Sequence, residues 1–209
     1  MRAAREIEEV RTSDRSFLAV LTESVRLVHE AAIPFAVIGG VASAAYGRPR
    51  HTNDIDFLCR AETADAVLSV LAGGGFLVEQ TNPAWIYKAF RDEVVVDVIF
   101  KIKSDIYFDA DMAERIRWIT FRGVDLPVAP PEDLIVTKAA TTDETSPRHW
   151  YAALAILTGT ELDWDYLLRR ARNCPNRVAS LLHFALSSDI PVPAGVVRSL
   201  DQSIADMWR

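Results

Sequence analysis

The chain has 209 residues, 50% of them hydrophobic and 25% charged, with a formal net charge of −6. That length supports one large domain or two small ones with a proper core, and the composition excludes a disordered chain. The acidic balance argues against wholesale, charge-driven binding of nucleic acid, although carboxylates gathered to hold metal would themselves make a chain acidic.

The first residues, MRAAREIEEVRTSD, are charged where a signal peptide needs an apolar stretch. No run approaches the ~18 apolar residues of a spanning helix, so a cytoplasmic protein without membrane association is expected. From Asp14 the residues Phe17, Leu18, Leu21, Val25 and Val28 recur at helical spacing, which predicts a helix ending near Ala31. Phe35 to Ile38 is a short apolar run closed by Gly39 and Gly40, the pattern of a buried strand entering a turn. Val41 to Tyr46 suits a short helix that starts at the glycines, and Gly47 sits where a left-handed residue would end it.

Asp54 to Cys59 reads as a second strand, Glu62 to Leu71 as a helix stopped by Gly73, Gly74 and Gly75, and Phe76 to Glu79 as a further strand. Trp85 to Phe90 and Val94 to Phe100 form a predicted hairpin turned at Arg91, Asp92 and Glu93. A second hairpin joins Trp118 to Phe121 with Val124 to Val128 through Arg122 and Gly123. After Pro130 and Pro131 helical periodicity takes over: Leu134 to Ala140, Trp150 to Leu157, Trp164 to Ala171, Val178 to Leu186 and Ala194 to Met207. The expected fold is α+β with an α/β-like first half: a mixed sheet flanked by helices over residues 1–128, then a helical domain over 129–209.

Chemistry concentrates in VIGGVASAAYGRPRHTNDIDFL, residues 37–58. Gly39 and Gly40 lack Cβ atoms, so backbone amides at a helix start can approach a phosphate; alone, such a pair is more often a simple turn. Asp54 and Asp56 are two apart, so on a strand both carboxylates face one side, roughly 6.5 to 7 Å apart along the chain. The plainer alternative is a polar strand face. Asp97 interrupts the apolar run VVVDVIF, where a lone carboxylate costs several kcal/mol unless compensated. A salt bridge to an arginine would do that, and so would metal beside Asp54 and Asp56. Three carboxylates from two strands can hold one or two Mg²⁺ ions, or Mn²⁺ in their place, and share them with substrate phosphates.

In this order, Gly39-Gly40, Asp54-Ile55-Asp56 and Asp97 resemble the polymerase-β-type nucleotidyltransferase superfamily. The segment Gly47 to Asp54 is most similar to its AbiEii-like branch, which includes toxins of toxin-antitoxin pairs. The resemblance covers residues 33–140. It implies a metal-dependent nucleotidyltransferase that moves NMP from an NTP to a hydroxyl, an RNA and particularly a tRNA 3′ end, with a cognate antitoxin as partner. It further implies that Arg48 and Thr52 contact the triphosphate and that Lys138 neutralises phosphate charge, against the plainer reading of Lys138 as a solvated helix residue. Asp143 is the candidate for a fourth acidic residue.

Arg169, Arg170, Arg172 and Arg177 lie near Trp164 and Tyr166, an arrangement that can hold an RNA backbone and stack a base; the alternative is a solvated arginine face. His149, Trp150 and Tyr151 are candidates for the acceptor side of the cleft. His29, His51 and His183 lack metal-binding spacing, and Cys59 and Cys174 lack CxxC or Cys/His spacing, so all five are expected to be structural. A small-molecule acceptor of the aminoglycoside kind, drawn in by the acidic balance, and a non-catalytic nucleotide- or partner-binding module are the competing functions.

Overall fold

A computed structural model describes residues 2–47 and 52–207. Helix α1 (Arg2–Glu30) leads into β1 (Phe35–Ile38), α2 (Gly39–Ala45), β2 (Asp54–Cys59) and α3 (Ala64–Gly73). Then come β3 (Leu77–Asn82), β4 (Ile86–Arg91), β5 (Val94–Ile99), α4 (Ala110–Ala113), β6 (Arg117–Phe121) and β7 (Val124–Val128). The second half is α5 (Pro131–Thr141), α6 (Arg148–Gly159), α7 (Trp164–Ala171), α8 (Pro175–Ser187) and α9 (Ala194–Met207). Helix α1 begins twelve residues before the expected Asp14, and neither α4 nor the 3₁₀ turn at Lys103–Asp105 was anticipated, both too short to show a period.

The strands form one seven-stranded mixed sheet in the order β3-β4-β5-β2-β1-β7-β6. The α+β expectation holds. Strands β2 and β5 run parallel with Asp56 opposite Asp97, and β4 pairs antiparallel with β5, placing Lys88 opposite Asp97. Because side chains alternate along a strand, Asp54, Asp56, Asp97 and Lys88 share one face of the sheet. The alternating residues Ile55, Phe57, Val96 and Val98 are fully buried on the other. Helices α1 and α3 pack against the sheet with Leu21, Val25, Val67 and Leu71. One contiguous apolar cluster then runs from Phe17 to Leu200, so the second-half helices share their core with the sheet.

Two-residue turns close both hairpins: Asp92 and Glu93 at φ 49° and 63°, Arg122 and Gly123 at φ 51° and 86°. Positive φ at both central positions matches the twist of the flanking strands. Among the described residues, no helix is long and apolar enough to cross a membrane.

A buried polar network ties α5 to α7. Asp133 accepts from the Tyr166 hydroxyl and from Arg170 Nε, each at 2.5 Å, and Arg170 also pairs with Asp109. The Glu132 carboxylate accepts from the Asp163 amide at 2.7 Å. Buried charges cost free energy unless paired; here Asp133 is paired with Arg170, while Glu132 is held by a backbone amide and one Arg170 nitrogen, Nη2, is buried without a hydrogen bond.

Candidate active site

The site begins at the tip of β1. Gly39 follows the strand at φ +67°, and a Cβ there would lie 1.8 Å from an Asp56 carboxylate oxygen. At Gly40 a Cβ would come within 2.6 Å of Thr52 Oγ1. Both glycines are therefore set by close approach: the chain turns directly over the carboxylate of β2, and any side chain would push it away. The Gly40 amide donates to the Asp56 carboxylate, so in this structure the turn cradles an aspartate with an amide suited to a phosphate.

Asp54 and Asp56 project into a cleft of about 620 Å³ that also exposes Gly39, Gly40, Thr52 and Lys138. Burial first, then the neighbouring Asp97 and Asp54, raise the Asp56 carboxyl to about 6 against the opposite pull of the Gly40 amide and Lys138. Lys138 is a buried side chain, 6% exposed, and its ammonium donates to the Gly39 carbonyl at 3.3 Å. The plainer reading of a solvated lysine is excluded by that burial. Its helix α5 starts at Pro131 in the favoured first-turn position and carries Leu134, Thr137, Lys138 and Thr141 along one wall of the cleft.

Asp97 lies one strand away from Asp56 and is not among the residues lining the cleft. Its carboxylate accepts from Lys88 Nζ at 2.5 Å, so its partner here is a lysine where the plainer of the two expectations was an arginine. Among the described residues no three His, Cys, Asp or Glu side chains converge as a metal-holding group. The adjacent pair Asp54 and Asp56 nevertheless suits a hard divalent cation. Both are oxygen donors open to the cleft, and burial together with the charges of Asp97 and Asp54 raises the Asp56 carboxyl, a cost that a cation would relieve.

Several other expected residues fall elsewhere. Arg48 and His51 lie outside the described residues. Asp143 is already engaged: it accepts from Thr145 and Ser146 on its own loop and pairs with Lys103 at 3.0 Å, and the Thr145 hydroxyl with Lys103 holds its carboxyl down at about 2. Of the four arginines, Arg170 turns inward to Asp133 and Asp109 with its side chain 11% exposed, which removes it from any RNA-facing surface. Arg169, Arg172 and Arg177 are exposed, and none of them lines the cleft. His149 does line it, held by Thr141 at 2.9 Å; Trp150 packs edge-on against Phe184, and Tyr151 is exposed away from it. His29 stacks edge-on with Trp118 and His183 meets Asp201, as structural histidines would.

The cleft also holds residues that the sequence did not single out: Trp85, Lys101, Lys103 and Arg148. Trp85 was placed on a strand, yet it ends the turn before β4 and is 44% exposed, a large aromatic left open. That exposure had no signature in the pattern.

The sheet order, the glycine turn over a carboxylate pair and the lysine on the facing helix define a nucleotidyltransferase fold. The chain belongs to the family described as uncharacterised nucleotidyltransferase, which matches residues 2–189, and it is a nucleotidyltransferase. No curated protein matches its sequence. Among solved structures it is similar to the antibiotic-resistance factor ANT(2″)-Ia, with 18% identity over 81% of this chain and 96% of that one and a TM-score of 0.55. It is also similar to LnuA, a lincosamide antibiotic adenylyltransferase solved with lincomycin bound, at 14% identity over 68% of this chain and 96% of that one, with a TM-score of 0.48. At these identities the likeness is one of fold.

Lys138→Met is expected to lower the rate of transfer by about 10²- to 10³-fold, the usual loss for one cation aimed at developing phosphate charge. Divalent-cation binding by the variant, followed by calorimetry, should be retained and no weaker than in the parent, because the removed Lys138 charge acts on Asp56. An unchanged rate would reduce Lys138 to a packing residue.

Proposed function

We propose that this chain transfers a nucleoside monophosphate from a nucleoside triphosphate to an acceptor hydroxyl. The acceptor oxygen bonds to the α-phosphorus as the bond from that phosphorus to pyrophosphate breaks, and pyrophosphate leaves. The observation that carries this is the convergence of Gly39, Gly40, Thr52, Asp54, Asp56 and Lys138 on one cleft, whose volume of about 620 Å³ suits a nucleotide-sized ligand.

Asp54 and Asp56 would hold Mg²⁺ or Mn²⁺, and Asp97 is the candidate third ligand. The cation supplies neutralisation of the triphosphate and a lower pKa for the attacking hydroxyl. Thr52 and the turn at Gly39 and Gly40 seat the triphosphate, with Arg48 as a further candidate contact, and Lys138 neutralises its charge from the opposite wall. Residues 1–128 form the catalytic unit. Residues 129–209 complete the cleft through Leu134, Thr137, Lys138, Thr141, Arg148 and His149.

For the acceptor we favour an RNA 3′ end, tRNA in particular, with the protein acting in the cytoplasm as a toxin restrained by an antitoxin. The sequence resemblance to the AbiEii-like branch supports this, and so do two arginines, one in the cleft and one beside it. Arg148 lines it, and Arg177 donates to the Thr142 carbonyl next to the lining Thr141 at 2.7 Å. A small-molecule acceptor is the second reading, favoured by the apolar part of the lining, Trp85, Ile99, Ile102 and Leu134.

Incubating the protein with Mg²⁺, each labelled nucleoside triphosphate and total RNA tests both. Label entering a tRNA-sized band, absent with Asp54→Ala and suppressed steeply by salt, supports the RNA acceptor. Label appearing only on an added aminoglycoside or lincosamide supports the small-molecule reading. Nucleotide bound without turnover on any acceptor would overturn the transferase proposal for this site.

A further inference from the structure

Three carboxylates and one lysine share a face of the sheet at neighbouring register positions. Asp56 on β2 is opposite Asp97 on β5, and Asp97 is opposite Lys88 on β4. The Lys88 ammonium lies 2.5 Å from an Asp97 oxygen, with side chains 30% and 17% exposed. Asp54 and Asp56 open onto the cleft; Asp97 does not. A carboxylate so placed can serve the cleft or the lysine.

We propose that Lys88 is the resident counter-ion of Asp97, competing with a divalent cation for that carboxylate and so setting how tightly the nucleotide-free site holds metal. This rests on Asp54 and Asp56 binding a cation as proposed above. The physical basis is that a fixed ammonium already satisfies Asp97. A divalent ion arriving at Asp56 must then either take Asp97 from Lys88 or bind without it, and it also meets the lysine's positive charge across two strand spacings, ~9.6 Å. An ordinary surface ion pair would have no such consequence, because it would not neighbour a ligand. The arrangement keeps the free site weak for metal, so that binding waits for the triphosphate to bring further oxygen ligands.

The test is Mn²⁺ binding to the nucleotide-free protein at pH 7.5, read by electron paramagnetic resonance of free Mn²⁺ and by the metal-induced rise in melting temperature. Lys88→Met and Lys88→Gln are expected to bind Mn²⁺ at least about fivefold more tightly than the parent, and Lys88→Arg to bind like the parent. The double variant Lys88→Met/Asp97→Asn is expected to lose the gain, since the freed carboxylate is gone. Unchanged or weaker binding by both neutral variants would overturn the competition and make Lys88 a support for Asp97. A gain that survives Asp97→Asn would overturn it too. If Lys88→Met does not fold, Lys88→Gln decides alone. Failure of the parent itself to bind Mn²⁺ with or without nucleoside triphosphate would instead overturn the metal site on which the inference stands.

Discussion

Asp56→Asn is expected to lose at least about 10³-fold in nucleotidyl transfer and yet to be the more stable protein when nucleotide-free at pH 7.5. The rate loss follows from removing a ligand of the cation, whose charge stabilisation is worth several kcal/mol. The stability gain follows from the Asp56 carboxyl, raised from 3.8 to about 6 by burial and by Asp97 and Asp54. The native state holds this proton more tightly than the unfolded chain does. Stability contributed by the group is therefore fully present below about 3.8 and is lost as pH rises through about 6. At pH 7.5 the folded parent carries the whole penalty, roughly 3 kcal/mol at most, and asparagine carries none. Urea unfolding of both proteins from pH 7.5 to 4 checks this. The advantage of Asp56→Asn should shrink as pH falls through about 6, with Asp133, whose carboxyl burial also raises to about 6, common to both. An advantage that does not change with pH would remove carboxylate repulsion as its cause. Added Mn²⁺ should raise the parent's melting temperature and leave the variant's nearly unmoved.

How much of this could be read beforehand depended on whether the signal was local. Asp54 and Asp56 are two apart on one strand, so their shared face needed only the strand period, and Gly39 with Gly40 needed only a strand followed by a helix start. The partner of Asp97 required a register. With the turn taken as Arg91, Asp92 and Glu93, Phe90 would pair with Val94 and Lys88 with Val96. The turn is in fact Asp92 and Glu93, so Arg91 pairs with Val94 and Lys88 with Asp97. A one-residue slip exchanges the two faces of a strand, and Glu93 at φ 63° is not a residue that announces a two-residue turn.

The arginine cluster failed in the opposite way, through a rule that was available. Tyr166 and Arg170 are four apart on α7, and so lie on one helical face; with Tyr166 fully buried, Arg170 had to turn inward and find a carboxylate. Asp133 and Asp109, from distant segments, supply the two that it finds. Lys138 combined both cases. Its helix was legible, but its burial against Gly39 depends on α5 packing over the turn, a contact between residues 99 apart in the chain.

Gly39→Ala is expected to lower transfer by about 10²-fold or more while leaving a folded protein. The added Cβ would stand 1.8 Å from an Asp56 carboxylate oxygen, and the backbone sits at φ +67°, where an L side chain is already strained. Relief requires Asp56 to rotate away or the β1–α2 turn to open. Either movement disturbs the Gly40 amide's hydrogen bond to Asp56 and the Lys138 bond to the Gly39 carbonyl. The site would be displaced by about an ångström or more, a shift known to cost about 10²-fold when catalysis depends on position. The cost in stability should be about 1–3 kcal/mol, as for other residues held at sparsely populated φ and ψ. Gly195→Ala is the matched comparison: no atom lies within 4 Å of a Cβ built there, and inside helix α9 the change should be neutral or stabilising by up to about 1 kcal/mol. Transfer assays and urea unfolding of the two variants separate the outcomes. Wild-type transfer by Gly39→Ala would mean that the turn does not hold Asp56 in its working position, and that the carboxylate is set by β2 alone.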